Sequence, residues 1–107
     1  MRFCTRLAAI RRLQNERSVL RETGASEAEQ SAAKTAALET RTAVGEALTE
    51  LQLLTDDQHV LELAARVVDV TFYLHEAPDR AERDRRGTLA RTAHNTFVAA
   101  AGPLVRA

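Results

Sequence analysis

The 107-residue chain is long enough for one domain, residues 1–107, that buries roughly 65% of its unfolded surface without metals or disulfides. Its only aromatics are Phe3, Phe72, Tyr73 and Phe97, and its only prolines and glycines are Pro78, Pro103, Gly24, Gly45, Gly87 and Gly102. That scarcity of turn formers excludes an all-β fold and leaves an all-α one with a core of Leu, Val and Ala. The 15 basic and 15 acidic residues cancel, but unevenly along the chain. Residues 1–24 carry six arginines against Glu16 and Glu22, residues 25–77 carry ten acids against Lys34, Arg41 and Arg66, and residues 78–107 are again basic. Such a pattern lets sequential helices attract one another, or leaves a basic face for an anionic partner.

The spacing predicts helix A over about residues 2–23, with Gly24 as its C-terminal stop. Phe3, Leu7, Ile10, Leu13 and Leu20 share one side, and Arg17 and Arg21 interrupt it. Helix B follows over 27–54, opened by the capping box Ser26-Glu27-Ala28-Glu29 and about 42 Å long at ~1.5 Å per residue. Its stripe is Ala33, Ala37, Thr40, Val44, Ala47, Leu48, Leu51 and Leu54, alanines first and leucines after.

Helix C, over 56–76, begins at Leu53-Leu54-Thr55-Asp56-Asp57-Gln58, where Thr55 and Gln58 form a second reciprocal cap and the two aspartates favour the positive helix end. B and C are then expected to fold back on each other at a near-zero-length turn. Val60, Leu61, Leu63, Ala64, Val67, Val68, Val70, Thr71 and Leu74 cover about half of C's circumference, a face wide enough for more than one neighbour. Pro78 ends it. Helix D carries Leu89, Ala93, Thr96, Phe97, Ala100 and Leu104 and stops at Gly102-Pro103 or just before. It starts either at residue 80, capped by Asp79 and projecting past the core, or at 88, capped by Thr88 after a solvated loop. The expected architecture is an antiparallel up-down-up-down four-helix bundle with C most buried. Its competitor is a B–C hairpin that dimerises, with A and D loosely attached.

From Val44 onward the chain resembles a group of small uncharacterised helical-bundle proteins of actinobacteria, through Ala47-Leu48, Leu51, Leu53-Leu54-Thr55-Asp56, Val60, Ala64, Val67 and Phe97. The resemblance is one of packing pattern and covers about 60% of the chain. It implies a helical fold and no activity. Many members of that group begin with a membrane anchor. Here no apolar stretch reaches the ~20 residues of a transmembrane segment. The Arg-rich, acid-poor start is faintly like a transit peptide, but its Leu and Ile spacing suits a bundle helix, and the expected location is cytoplasmic.

Site chemistry is sparse. His75 is expected to cap the end of helix C. His59, flanked at three residues by Asp56 and Glu62, offers one surface copy of a spacing that di-iron bundles use buried and in duplicate, so no metal or other cofactor is expected. His94 falls at the edge of helix D's stripe. Cys4 is read as a small semi-buried residue, without neighbours that would activate a thiol. No phosphate loop, nucleophile elbow, HExxH or CxxC is present, and no carboxylate pair is isolated in an apolar setting, so the chain is not expected to be an enzyme.

Two readings from different classes remain. The leading one is a non-enzymatic bundle acting through protein–protein contact, as a homo-oligomer or with another protein. The other is a peripheral binder of anionic lipid or nucleic acid through Arg2, Arg6, Arg11, Arg12 and Arg17 of helix A. The pI near 6.8 and the absence of interleaved aromatics weigh against the second. The run Arg80, Arg83, Arg85 and Arg86 is broken by Glu82 and Asp84, and pairing against the acidic surface of B and C is its expected fate.

Overall fold

Three of the four helices start where a short polar side chain satisfies the first N–H groups; the first, which begins next to Met1, has no side-chain cap. In the computed structural model, which describes residues 1–102 and residue 104, the helices are α1 (Arg2–Glu22), α2 (Glu27–Leu54), α3 (Gln58–Phe72) and α4 (Arg80–Ala101). Ser26 accepts from the Glu29 N–H at 3.1 Å, and Asp79 accepts from the Glu82 N–H at 2.8 Å. Gly24, at φ 71°, closes α1 with Gly24 N–H to Arg21 O and Ala25 N–H to Leu20 O, the paired bonds of a Schellman stop.

The junction after α2 departs from its expected form. Thr55 is extended and ends α2, and its Oγ1 accepts from the Asp57 N–H. Asp57 caps α3, taking the N–H groups of His59 and Val60 at 3.0 and 3.3 Å. The cap therefore lies two residues later than the Thr55–Gln58 box, because an antiparallel reversal needs extended residues that a zero-length turn does not supply. At its other end α3 stops at Phe72, and Tyr73–Glu76 tighten into a 3₁₀ turn before Pro78. The start of α4 settles on Asp79, yet the helix does not project past the core: Arg83, Gly87 and Ala90 are buried. Gly102 ends α4, and Pro103 lies outside the described residues.

The order is up-down-up-down. Arg2 at the start of α1 pairs with Glu50 near the end of α2, and Phe3 meets Phe97 near the end of α4. Glu22 at the end of α1 pairs with Arg83 near the start of α4. The close pairs are α1 with α2 and α3 with α4, while α1 and α3 also pack directly across the bundle. Contact between α2 and α3 is slight, so the hairpin expected to fold back on itself, and the competing B–C dimer core, are not adopted. Their connection is short, but α1 and α4 cover the apolar face of α3 instead.

One core joins Phe3, Leu7, Ile10, Ala37, Val44, Ala47, Leu51, Val60, Ala64, Val67, Phe97 and Ala101. The stripe of α1 continues with two buried polar residues. Gln14 Nε2 donates to the Phe72 carbonyl at 2.8 Å and Ser18 Oγ to that of Ala77 at 3.0 Å. These bonds satisfy carbonyls left open where α3 ends. On α4 the buried side runs through Arg83, Gly87, Ala90, Phe97 and Ala101, so of the expected stripe Phe97 is central while Leu89, Thr96 and Ala100 are exposed. Gly87, Ala90 and Ala101 are the small residues on the side that α4 turns inward, and Leu89 falls on the side it turns out. Leu53 and Leu54 end α2 exposed, so the stripe of α2 stops at Leu51.

Candidate functional site

The five arginines of α1 singled out from sequence do not form one surface. The helix repeat points them in different directions, and α1 has neighbours on several sides. Arg2 pairs with Glu50 of α2 at 3.5 Å. Arg6 is half-buried. Arg17 donates to Gln14 Oε1 at 3.0 Å, and its guanidinium is held below its usual range by burial and then by Arg21, with Glu76 opposing. Arg21 donates to the carbonyls of His75 and Ala77 at 2.6 and 2.8 Å, so this part of the basic run caps the end of α3. The structure keeps Arg11 and Arg12 together and brings Arg91 of α4 to them. Arg11 is pushed below its usual range by burial, then by Arg91 and Arg12. Helix periodicity does not reveal this meeting, since the register between α1 and α4 is set only by packing.

The basic run of α4 is neutralised within its own helix and by Glu22 of α1, not by the acidic surface of α2 and α3. Glu82 takes Arg85 and Arg86 at 2.6 and 2.8 Å, and those bonds pull its carboxyl down to about 2. Arg80 lies 3.9 Å from Asp84, and the nearly buried Arg83 pairs with Glu22 and reaches Ser18 Oγ. Arg41 of α2 stands 4.6 Å over the Phe72 ring.

His75 Nδ1 donates to the Phe72 carbonyl at 2.7 Å, a bond within its own helix end, and burial leads the causes that lower its proton affinity. His94 is more than an edge residue. Its Nδ1 is buried without a hydrogen-bond partner, and burial and then Arg11 of α1 lower its affinity for a proton. His59 is exposed, and among the described residues no three His, Cys, Asp or Glu side chains come together as a metal site. Cys4 is a half-buried free thiol whose pKa is raised, chiefly by burial.

Two grooves flank the α1–α2 pair. Because Arg41 is level with the end of α3, the part of α2 before it runs on with α1 beneath it. On one side Arg17, Arg21, Glu27, Gln30, Ser31 and Lys34 line a polar groove of about 320 Å³. On the other a groove of about 350 Å³ has an apolar floor of Leu13, Leu20, Ala32, Ala33 and Ala36 between Glu16 and Glu29. Ala33 is buried and Leu13 packs against the core, as their helical spacing implies, and the overhang of α2 leaves their outer edges, with half-buried Leu20, lining the groove.

The family model of the KilB plasmid transfer protein matches residues 1–105 of the chain. The chain belongs to the KilB plasmid transfer protein family. No curated protein and no solved structure matches it. The family match covers both the α1–α2 groove and the α1–α4 seam. Among the described residues no helix is long and apolar enough to cross a membrane.

Proposed function

We propose that the chain is a non-enzymatic component of plasmid transfer that works in the cytoplasm by docking a protein partner in the apolar groove between α1 and α2. The family supplies the process, and the groove supplies the mode of action. Its floor of Ala32, Ala33 and Ala36 permits close approach of a helix, and Leu13 and Leu20 add apolar area to bury. Glu16 and Glu29 on the rim select a partner with an apolar face edged by Lys or Arg. Two copies meeting groove to groove would set these acids against each other, which disfavours a two-fold dimer through this face. Supporting a binding role over a catalytic one, the clustered carboxylate Glu82 is committed to arginines and the central histidine His94 faces a cation.

The test is plasmid transfer frequency in cells carrying Ala32→Arg, with Thr35→Arg as control. Both residues are exposed on α2, but only Ala32 lines the groove. The expected result is that Ala32→Arg lowers transfer to the level of a deletion while circular dichroism stays native, and Thr35→Arg transfers normally. Normal transfer with Ala32→Arg overturns the reading. Light scattering on the purified chain tests self-association directly: a dimer that Ala32→Arg dissociates would make the partner a second copy.

A further inference from the structure

The arginines of this chain differ in what engages them. Arg2, Arg80, Arg83, Arg85 and Arg86 each have a carboxylate within 4.0 Å, Arg21 has carbonyls, Arg17 has Gln14, and Arg41 has the Phe72 ring. Arg11, Arg12 and Arg91 have no carboxylate or carbonyl partner among the described residues. Arg6 and Arg66 share that state but fall on other faces.

Two contacts fix the antiparallel register of α1 and α4. Phe3 packs on Phe97 with centroids 5.2 Å apart, and Arg83 reaches Ser18 at 3.5 Å. Between those points Arg11 is level with Ala90 and Arg91, and Arg12 extends the same cationic group outward. Around them the exposed residues are Asn15, Thr88 and Asn95, which hydrogen-bond without charge. Of the acids on these two helices, Glu22 pairs with Arg83, Asp84 lies 3.9 Å from Arg80, and Glu16, one turn from Arg12, lines the groove on the other side and makes no ion pair with it. Behind the seam stands His94, its Nδ1 buried and unpartnered. Arg91 and Arg12 both bear on the Arg11 guanidinium, none of the three has a carboxylate within 4.0 Å, and a polyanion relieves the repulsion between them.

We propose that the seam between α1 and α4 binds the phosphodiester backbone of nucleic acid through Arg11, Arg12 and Arg91. Cations spread over two helices on an open surface suit a chain of phosphates. The polar surroundings set this surface apart from a membrane-binding one, which needs an apolar face to insert; Ala8 and Val98 beside the seam are half-buried in the bundle. The seam lies on a different side of α1 from the Leu13–Leu20 groove, so this inference stands independently of the proposed protein contact.

Fluorescence anisotropy with a labelled 20-base-pair duplex, of roughly the length used for short sites, and with its single strand provides the test at two salt concentrations. With three phosphate contacts, duplex affinity falls roughly forty-fold between about 50 and 200 mM salt. Arg12→Gln with Arg91→Gln, both at exposed positions, lowers the slope of log affinity against log salt by about two. Arg66→Gln, an equal loss of charge per residue on α3, leaves the slope unchanged. Absence of saturable binding to either oligonucleotide at the lower salt overturns the proposal. So does an Arg66→Gln effect equal, per charge removed, to that of the double variant, which reduces the interaction to net charge. Capture by phosphatidylglycerol vesicles without oligonucleotide binding overturns it in favour of a lipid surface.

Discussion

At one end of the bundle Phe3 meets Phe97 edge to face, with Leu7, Ile10, Val44, Leu51 and Val60 around them, all nearly or fully buried. At the other end the same α1 surface carries Gln14, Ser18 and the flanking Arg21, and what they touch is backbone: the carbonyls of Phe72, His75 and Ala77. The first end is held by area removed from water, which tolerates exchange among side chains of similar volume. The second is held by directed bonds to the carbonyls at the end of α3: Phe72 takes Gln14 and His75, and Ala77 takes Ser18 and Arg21, so each bond depends on the geometry of its donor and not on volume alone. A helix can therefore switch from apolar to polar packing along one face without changing direction. α1 does so between Ile10 and Gln14 because that is where the neighbouring α3 ends.

The comparison breaks most readily at Phe97. Phe97→Ala should cost about 3–5 kcal/mol, read as a shift in denaturant midpoint, because it removes a fully buried ring and its partner contact together. At the polar end, Arg83→Ala should cost about 2–4 kcal/mol, since it strips a nearly buried cation from Glu22 and from Ser18. Arg83→Met separates packing from charge: recovery of most of the loss would show that the polar end is held by volume like the other. Unequal responses at the two ends, with Met unable to replace Arg83, would sharpen the distinction.

The apolar end was legible in the sequence and the polar end was not. Phe3, Leu7, Ile10, Val44, Ala47, Leu51, Val60, Ala64 and Val67 follow helical spacing, and the structure buries them. Gln14 and Ser18 belong to the same geometric stripe, but their partners lie 58 and 59 residues away, so nothing local marks them as buried. Arg17 and Arg21 looked like faults in the stripe for the same reason. Hydrophobic spacing alone rotates α4 wrongly, because Leu89 outweighs Gly87 and Ala90 in any hydrophobic pattern although the small residues are the buried ones. As for the candidate surfaces, Arg11 and Arg12 could be named from sequence, whereas Arg91 and His94 join them only through the α1–α4 register. The groove owes its existence to a difference in length between α2 and α3, visible in sequence only as two helix lengths.

A smaller effect distinguishes the two residues at the α2–α3 junction. Asp57→Ala should lower stability by about 1 kcal/mol, because its carboxylate takes two of the first N–H groups of α3. Thr55→Ala, which loses a hydroxyl accepting a single exposed N–H before the helix begins, should cost a few tenths of that scale. Equal losses would mean that the cap is shared between them. The measurement is the denaturant midpoint of each variant at neutral pH, with the slope checked for constancy.

The smallest expected effect uses the two partly buried histidines, which sit at opposite ends of the comparison in their bonding. Both have proton affinities lowered in the fold, chiefly by burial, but His75 Nδ1 has the Phe72 carbonyl while His94 Nδ1 has no partner and faces Arg11 from α1, with Arg91 a turn away on its own helix. A histidine whose folded pKa lies below its unfolded value of 6.5 lets the unfolded chain take up a proton first as pH falls. Its contribution is complete above that pH and is lost on acidification through the folded pKa. Stability should therefore decline from about pH 6.5 downward. His94→Leu should flatten that part of the curve with little loss at pH 8, since it exchanges an unpartnered buried nitrogen for apolar volume. His75→Leu should flatten it too but lower the plateau at pH 8, because the Phe72 carbonyl loses its imidazole donor. Equal plateaus for the two variants would show that the bond to Phe72 contributes nothing net, and a pH curve unchanged in His94→Leu would show that this ring titrates as it does in the unfolded chain.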